Sequence, residues 1–353
     1  MTHIWVRAEQ RSDEQRVGLS PEGVKRLIEA GIRVSVEESD ARILPISEFL
    51  AAGAEIVAEN SWPEAPADAF IFGLKELPED TGPLTHRHIM FGHAFKGQGA
   101  GVHLLERFRA GGGVLYDLEY LVNEDGRRVA AFGYWAGFVG AAVSLQCFAA
   151  QKADRPAPAV SAWPNSDALV ADTQSTLDGA GVAAPTALVV GALGRVGQGV
   201  CDMCERVGTK VTKWDMAETA HGGPFPEILA HEMFFNCVLA GPSTPRLVPA
   251  DAGSQPRELR MIGDIACDPD SDYNPVPLYT QATTWSEPIV RVADNPQLDV
   301  MAIDNLPSLL PRESSLDFAE QLLPSLLDLG APDEGVWARA KATFDAAITD
   351  LSR

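Results

Sequence analysis

The stretch Thr186-Ala-Leu-Val-Val-Gly191-Ala-Leu-Gly194-Arg-Val-Gly197 decides the fold. It reads as a buried strand that breaks into a glycine turn and opens a helix. The glycines let the backbone turn tightly and approach a dinucleotide's pyrophosphate, while free N–H groups and the positive end of the helix dipole favour the anion. The helical pattern spans Val196 to Val207 and stops at Gly208. A second strand, Lys210-Val-Thr-Lys-Trp-Asp215, then ends in an acid at the distance expected of a ribose-binding carboxylate. Such a carboxylate accepts from the ribose hydroxyls and repels a 2′-phosphate, so NAD is expected rather than NADP. The spacing is G-x-x-G-x-x-G, not the commoner G-x-G-x-x-G. On these residues alone, an α/β turn that holds no nucleotide is the competing reading.

At 353 residues the chain is long for one core, and two domains are expected. Hydrophobic content of 46% and charged content of 22% are those of a globular protein. A net charge of −21 argues against nucleic acid as a partner, because phosphate binding needs clustered Lys and Arg. An anionic substrate therefore needs a local cationic pocket. The longest apolar run, Tyr134 to Ala150, is interrupted by Gln146 and falls short of a bilayer's thickness, so it is expected to be a buried helix and no membrane partner is expected. The N-terminus begins as a strand without a charged-then-apolar signal pattern, and five cysteines suit a reducing compartment, so the expected location is cytoplasmic. Cys201 and Cys204 form a C-x-x-C inside the predicted helix, with no second pair for zinc, and are expected to be packed and inert. No metal is expected.

The first 130 or so residues alternate strand and helix. Strands are predicted at Ile4–Arg7, Val34–Glu37, Ala69–Leu74, Ile89–Phe95 and Val114–Leu118, with helices from Pro21, capped by Ser20, and from Val102 to Ala110. This is the pattern of a mostly parallel sheet. It holds no glycine phosphate turn, so it is expected to carry substrate. A proline-rich connector, Arg155 to Pro164, leads towards the dinucleotide unit, which continues through predicted strands Phe234–Ala240 and Met261–Ile265 and closes near Ile303. Two helical stretches, Phe318–Leu327 and Val336–Leu351, end the chain and are expected to complete the first domain. The resulting division is 1–133 with 312–353 for substrate and 134–311 for NAD.

Reactive side chains are densest in Gly73-Leu-Lys75-Glu76-Leu-Pro78 and in His86, His88, His93, Lys96 and Gln98. Ligands of open α/β sheets bind beyond the carboxyl ends of strands, where Lys75 and the stretch from His93 to Gln98 are predicted to fall. A lysine acts as a base there only if burial or a neighbouring cation lowers its pKa. The alternatives stay open: Lys75 as an exposed lysine paired with Glu76, and His93 as a hydrogen-bonded core histidine. His86 and His88 lack a third ligand at metal-like spacing, and His231-Glu232 lacks the second histidine of a metallopeptidase helix. Arg16, Arg127 and Arg128 occupy loop positions where arginines can hold carboxylates, against the default of solvated side chains.

The blocks Gly73 to Pro78, Asp125 to Gly133, Gly191 to Arg195, Lys213 to Asp215, His221 to Phe225 and Asp304 to Glu313 resemble the NAD-dependent, lysine-forming saccharopine dehydrogenases. The resemblance runs in order from Arg7 to the C-terminal helix. It implies an oxidoreductase of lysine biosynthesis and amino-acid metabolism, similar in fold to alanine dehydrogenase and the transhydrogenase NAD-binding subunit. The implied architecture is α/β, two Rossmann-like doubly wound domains with a cleft between them. The implied reaction cleaves saccharopine to L-lysine and 2-oxoglutarate, with NAD taking the hydride. Carried over by position, Lys75 is the implied base for the secondary amine and His93 the implied acid/base for imine hydrolysis. Arg16, Gln98, Arg128 and Phe132 match substrate-contacting positions. Arg127, Gly191, Gly194, Arg195, Gly197, Asp215, Thr219, Ile265, Ile303, Asp304, Asn305 and Leu306 match cofactor-contacting ones. Lys96 and Glu119 match positions that would tune the Lys75–His93 pair. Monomer and homo-oligomer are both left open.

Three positions depart from the family pattern. Val196 stands where fungal members carry a cysteine, His221 replaces an arginine, and Leu239 replaces an aromatic residue. The competing functions are a related opine-type or amino-acid dehydrogenase and a catalytically silent NAD-binding subunit of transhydrogenase type.

Overall fold

The computed structural model describes residues 1–351 except Ser12, Glu79–Thr81, Lys96–Gln98, Ala184 and Asp270. The chain divides into two compact units, Met1–Ala131 with Ser314–Arg353, and Phe132–Glu313. Phe132 and Gly133 thus open the second unit and Arg312 and Glu313 close it, whereas the sequence division places all four in the first. Phe132 is the N-cap of the helix Gly133–Lys152.

The first unit holds six strands, β1 His3–Val6, β2 Arg33–Glu37, β3 Glu55–Val57, β4 Phe70–Phe72, β5 Arg87–Met90 and β6 Val114–Asp117. Their order is β3-β2-β1-β4-β5-β6, every pairing parallel. That is the order of a doubly wound nucleotide-binding sheet, whose direction of winding reverses between β1 and β4. Ser20 caps the first helix, Pro21–Glu29, by accepting the Gly23 N–H at 3.1 Å, and Gly31 ends it with a φ of +82°. β5 stops at Met90, earlier than the predicted Phe95, and beyond it His93 takes a left-handed φ of +48°. From the C-terminal segment, Phe344 joins the cluster of Leu104, Phe108 and Leu115, and Trp337 packs edge-on to Tyr116 at 5.6 Å.

The second unit holds β7 Thr186–Val190, β8 Lys210–Trp214, β9 Met233–Asn236, β10 Met261–Asp264, β11 Val290–Asp294 and β12 Gln297–Met301. Their order is β11-β12-β10-β9-β7-β8, parallel except for the antiparallel edge pair β11–β12. The edge pair and the helix Ser166–Gly179, capped by Asn165, were not anticipated, since both are weakly patterned stretches after proline-rich segments. The helix Gly133–Lys152 is longer than its apolar run suggests; with 20 residues it is long enough to span a bilayer, yet Gly137 through Ala150 are buried in this unit's core. Glycines make that packing possible. A Cβ on Gly137 would collide with the Val196 carbonyl, and one on Gly199 with the Tyr134 carbonyl, so this helix and Arg195–Arg206 touch backbone to backbone.

Candidate active site and nucleotide turn

In the first unit, Lys75 lies just beyond β4, on the side of the winding reversal. Its backbone is gripped from β1: Glu9 accepts the N–H of Leu74 at 2.6 Å and of Lys75 at 2.9 Å, and the buried Arg7 donates to the Lys75 carbonyl. Gly73 is required beside it, because a Cβ there would strike the Arg7 guanidinium. Lys75 is half-buried, and its ammonium has no hydrogen bond or ion pair among the described residues. Burial lowers its pKa, and the Arg16 charge lowers it further against the opposing pull of Glu14. The alternative of a Lys75–Glu76 pair does not form. Glu76 instead accepts from Arg11 Nε at 2.6 Å.

Arg16 is buried and held by Glu14, Nε to Oε1 at 2.8 Å and Nη2 to Oε2 at 2.6 Å. Burial alone would raise the Glu14 pKa; the Arg16 hydrogen bonds and charge, with Lys75, hold it below the usual value. Sequence reasoning missed Arg7, Glu9 and Glu14, although charged residues directly after an apolar strand were a usable signal.

His93 lies beyond β5. Its side chain is 53% exposed, so it is no core histidine, and Nδ1 stands 3.5 Å from Glu119 Oε2. The Phe91 ring stacks on it at 6.4 Å. On the neighbouring strand, the buried Asp117 at the end of β6 accepts the N–H of Gly92 at 3.2 Å and of Glu119 at 2.9 Å. His86 and His88 are buried, and His86 bonds the Ala65 carbonyl at 3.0 Å. Lys96 and Gln98 lie outside the described residues.

Arg127 and Arg128 are exposed and follow a tight turn. Asn123 Oδ1 accepts from Asp125 N at 3.1 Å and Arg127 N at 2.9 Å, while Gly126 takes a φ of +75°.

In the second unit, Gly191 has a φ of +84° and donates to the Trp214 carbonyl at 2.9 Å, tying the turn to the end of β8. A Cβ on Gly197 would meet Ala192 Cα at 2.6 Å, so the third glycine lets the helix close on the turn. Gly194 is the N-cap, with no side-chain cap, and its own Cβ position meets only the Gly191 carbonyl at 3.4 Å. Asp215 Oδ2 accepts from Leu193 N at 3.0 Å and Oδ1 from Met216 N at 2.9 Å, so its carboxylate is fixed beside the turn. Thr219 Oγ1 donates to the Asp215 carbonyl at 3.0 Å. The residues fit a dinucleotide: an uncapped helix start in open space, an oriented carboxylate, and three exposed apolar side chains nearby, Leu193, Met216 and Leu239, at 72%, 81% and 75% exposure.

Ile265, Ile303 and Leu306 are buried in the unit's core, leaving backbone rather than side chain to any ligand, while Asp304 is exposed and Asn305 precedes the short helical turn Leu306–Leu309 without a side-chain cap. The C-x-x-C thiols of Cys201 and Cys204 are buried, and burial raises both pKa values.

Residues 5–139 match the alanine dehydrogenase/PNT N-terminal domain family. Among solved structures, L-alanine dehydrogenase is similar in fold at a TM-score of 0.67 and 18% identity, covering 99% of this chain and 100% of the other. The transhydrogenase from Sinorhizobium meliloti is similar at a TM-score of 0.61 and 17% identity, covering 93% and 94%. The saccharopine dehydrogenase [NAD(+), L-lysine-forming] of Yarrowia lipolytica is 46% identical over 98% of this chain and 97% of its own. That of Neurospora crassa is 44% identical over 99% and 97%. Identity of this order, sustained along nearly the whole of both chains, makes this chain a member of the family of NAD-dependent, L-lysine-forming saccharopine dehydrogenases.

Proposed function

We propose that the chain catalyses the NAD-dependent oxidative cleavage of saccharopine to L-lysine and 2-oxoglutarate, or the reverse reductive condensation. The observation that carries this reading is Lys75, a half-buried amine of lowered pKa at the carboxyl end of β4, next to a buried arginine and one strand away from an exposed histidine. Saccharopine's secondary amine is protonated at neutral pH, and no hydride leaves the adjacent carbon until that proton is gone. A lysine whose charged form is disfavoured takes it. Bound NAD supplies the hydride acceptor. The remaining chain of events belongs to the protein: water adds to the carbon of the resulting iminium as His93 accepts its proton, His93 returns that proton to the nitrogen, and it takes the hydroxyl proton as the C–N bond breaks to release lysine and the keto acid. General acid–base groups of this kind each contribute about 10²–10⁴-fold.

In this reading Gln98, Arg128 and Phe132 meet substrate, and Arg16 serves both the substrate and the lowered Lys75 pKa. The exposed Arg127 and Arg128 offer charge to carboxylates or pyrophosphate in an otherwise acidic protein. The glycines of the turn, Arg195, Asp215, Thr219, Ile265 and the segment from Ile303 to Leu306 meet NAD. A cytoplasmic setting is part of the proposal, supported by five free thiols.

The test mixes the purified protein with saccharopine and NAD and follows NADH absorbance. NADH formation with release of lysine is expected. NADH from a different secondary amine, and none from saccharopine, would assign the chain to another opine-type reaction. Nucleotide binding without turnover of any such amine would assign it to a silent NAD-binding role.

A further inference from the structure

We propose that Asp117 is a positioning residue for this reaction, a buried carboxylate that ties the loop carrying His93 to the loop carrying Glu119 and so fixes the imidazole–carboxylate pair. The proposal rests on His93 being the acid/base group.

Its basis is geometric. Asp117 is the last residue of β6, and its two carboxylate oxygens go to different loops: Oδ2 accepts from Gly92, next to His93, and Oδ1 accepts from Glu119 itself. The atoms so tied bring His93 Nδ1 and Glu119 Oε2 to 3.5 Å. His93 also sits in left-handed backbone, which an L-residue with a side chain holds only when its surroundings impose it. The imposition comes from both sides. Asp117 holds the residue before it, and Gly101 closes on the residue itself and the one after, a Cβ there falling 3.0 Å from the His93 carbonyl and 2.9 Å from Ala94 Cα.

A carboxylate in this place is expensive, which argues for a purpose beyond capping two amides. Burial pushes the Asp117 pKa up to about 6, with Glu119 pushing the same way and with the two amides and His93 pulling it down. A neutral acceptor would satisfy the backbone at lower cost. What only an anion adds is charge: the Asp117 carboxylate and a protonated His93 attract one another.

Asp117→Asn is the test, since it keeps the shape, removes the charge, and turns an NH2 towards one of the two N–H groups. We expect kcat/KM for saccharopine to fall tenfold or more, its pH profile to move to lower pH, and NAD affinity, measured by fluorescence quenching, to stay within twofold. In a His93→Gln background the same change should have little further effect on kcat. Should Asp117→Asn not fold, Asp117→Ser, which keeps one acceptor without charge, is read in the same way. An unmoved pH profile, or an equal loss of kcat in the His93→Gln background, overturns the proposal and leaves Asp117 a structural cap. Near-normal turnover of His93→Gln by itself removes the role of the histidine, and the proposal with it.

Discussion

Glu14 holds Arg16 in a two-pronged ion pair, with N–O distances of 2.8 and 2.6 Å and both side chains buried. Both charges of the pair act on the Lys75 amine, in opposite senses. The amine therefore feels a tuned, not a full, positive neighbour: Arg16 lowers the Lys75 pKa and Glu14 opposes it.

Removing the opposing charge should show in the pH profile. Glu14→Gln leaves Arg16 charged and less well paired, so the Lys75 pKa falls further and the limb of kcat/KM that requires neutral Lys75 moves to lower pH. Breaking a buried pair outright costs about 3–5 kcal/mol, and the retained amide acceptor should hold the loss below that. Thermal melting together with a kcat/KM titration checks both parts; a limb that moved up would contradict the account of Lys75.

Lys75→Met and His93→Gln should each lower kcat by roughly 10²–10⁴-fold. NAD affinity should change little, because the glycine turn and Asp215 belong to the other compact unit. Stopped-flow NADH formation and equilibrium NAD binding separate the two effects, and a near-normal rate in either variant would remove that residue from the mechanism.

Cofactor choice should reside in Asp215. Its carboxylate caps the turn Met216–Thr219 in a reciprocal capping box with Glu218, so Asp215→Ala loses a cap as well as a charge. Asp215→Ser keeps a capping oxygen and isolates the charge. The ratio of kcat/KM for NAD to that for NADP should fall roughly tenfold in Asp215→Ser, in line with the loss of one charged hydrogen bond. An unchanged ratio would move NAD selectivity elsewhere.

His88 should make the fold acid-sensitive. It is buried edge-on to Trp62 at 5.2 Å and Phe108 at 5.4 Å, and burial holds its pKa well below the ordinary 6.5. As the pH falls below about 6.5 the unfolded chain takes up a proton that the folded chain refuses. Stability from this group is thus complete above 6.5 and is lost below it, by about 1.4 kcal/mol per pH unit until the folded-state pKa is reached. Urea midpoints of the native protein between pH 7 and 5 should drop more steeply than those of His88→Phe; parallel curves would exclude His88 as the sensor.

The sequence by itself determined the α/β class, the glycine turn with its acid at Asp215, the place of Lys75 at a strand end, and the family. These are local signals. A strand, a turn and a helix start are written in neighbouring residues, and family blocks are read in order along the chain. The antiparallel pair β11–β12 and the helix Ser166–Gly179 were not legible, because tertiary packing rather than their own periodicity holds them in place.

Only the tertiary structure decided the partners. Glu76 is adjacent to Lys75 in sequence yet pairs with Arg11, while Glu9 reaches 66 residues along the chain to hold the Lys75 amide. His93 stands in an apolar stretch yet is half exposed, because β5 ends at Met90 and the backbone at His93 is left-handed. Asp117 looks like an ordinary strand residue until the parallel register of β5 and β6 sets it beside Gly92. Ionisation and hydrogen bonding depend on which groups lie within a few ångströms, and in a parallel sheet those groups come from crossovers that no local pattern encodes.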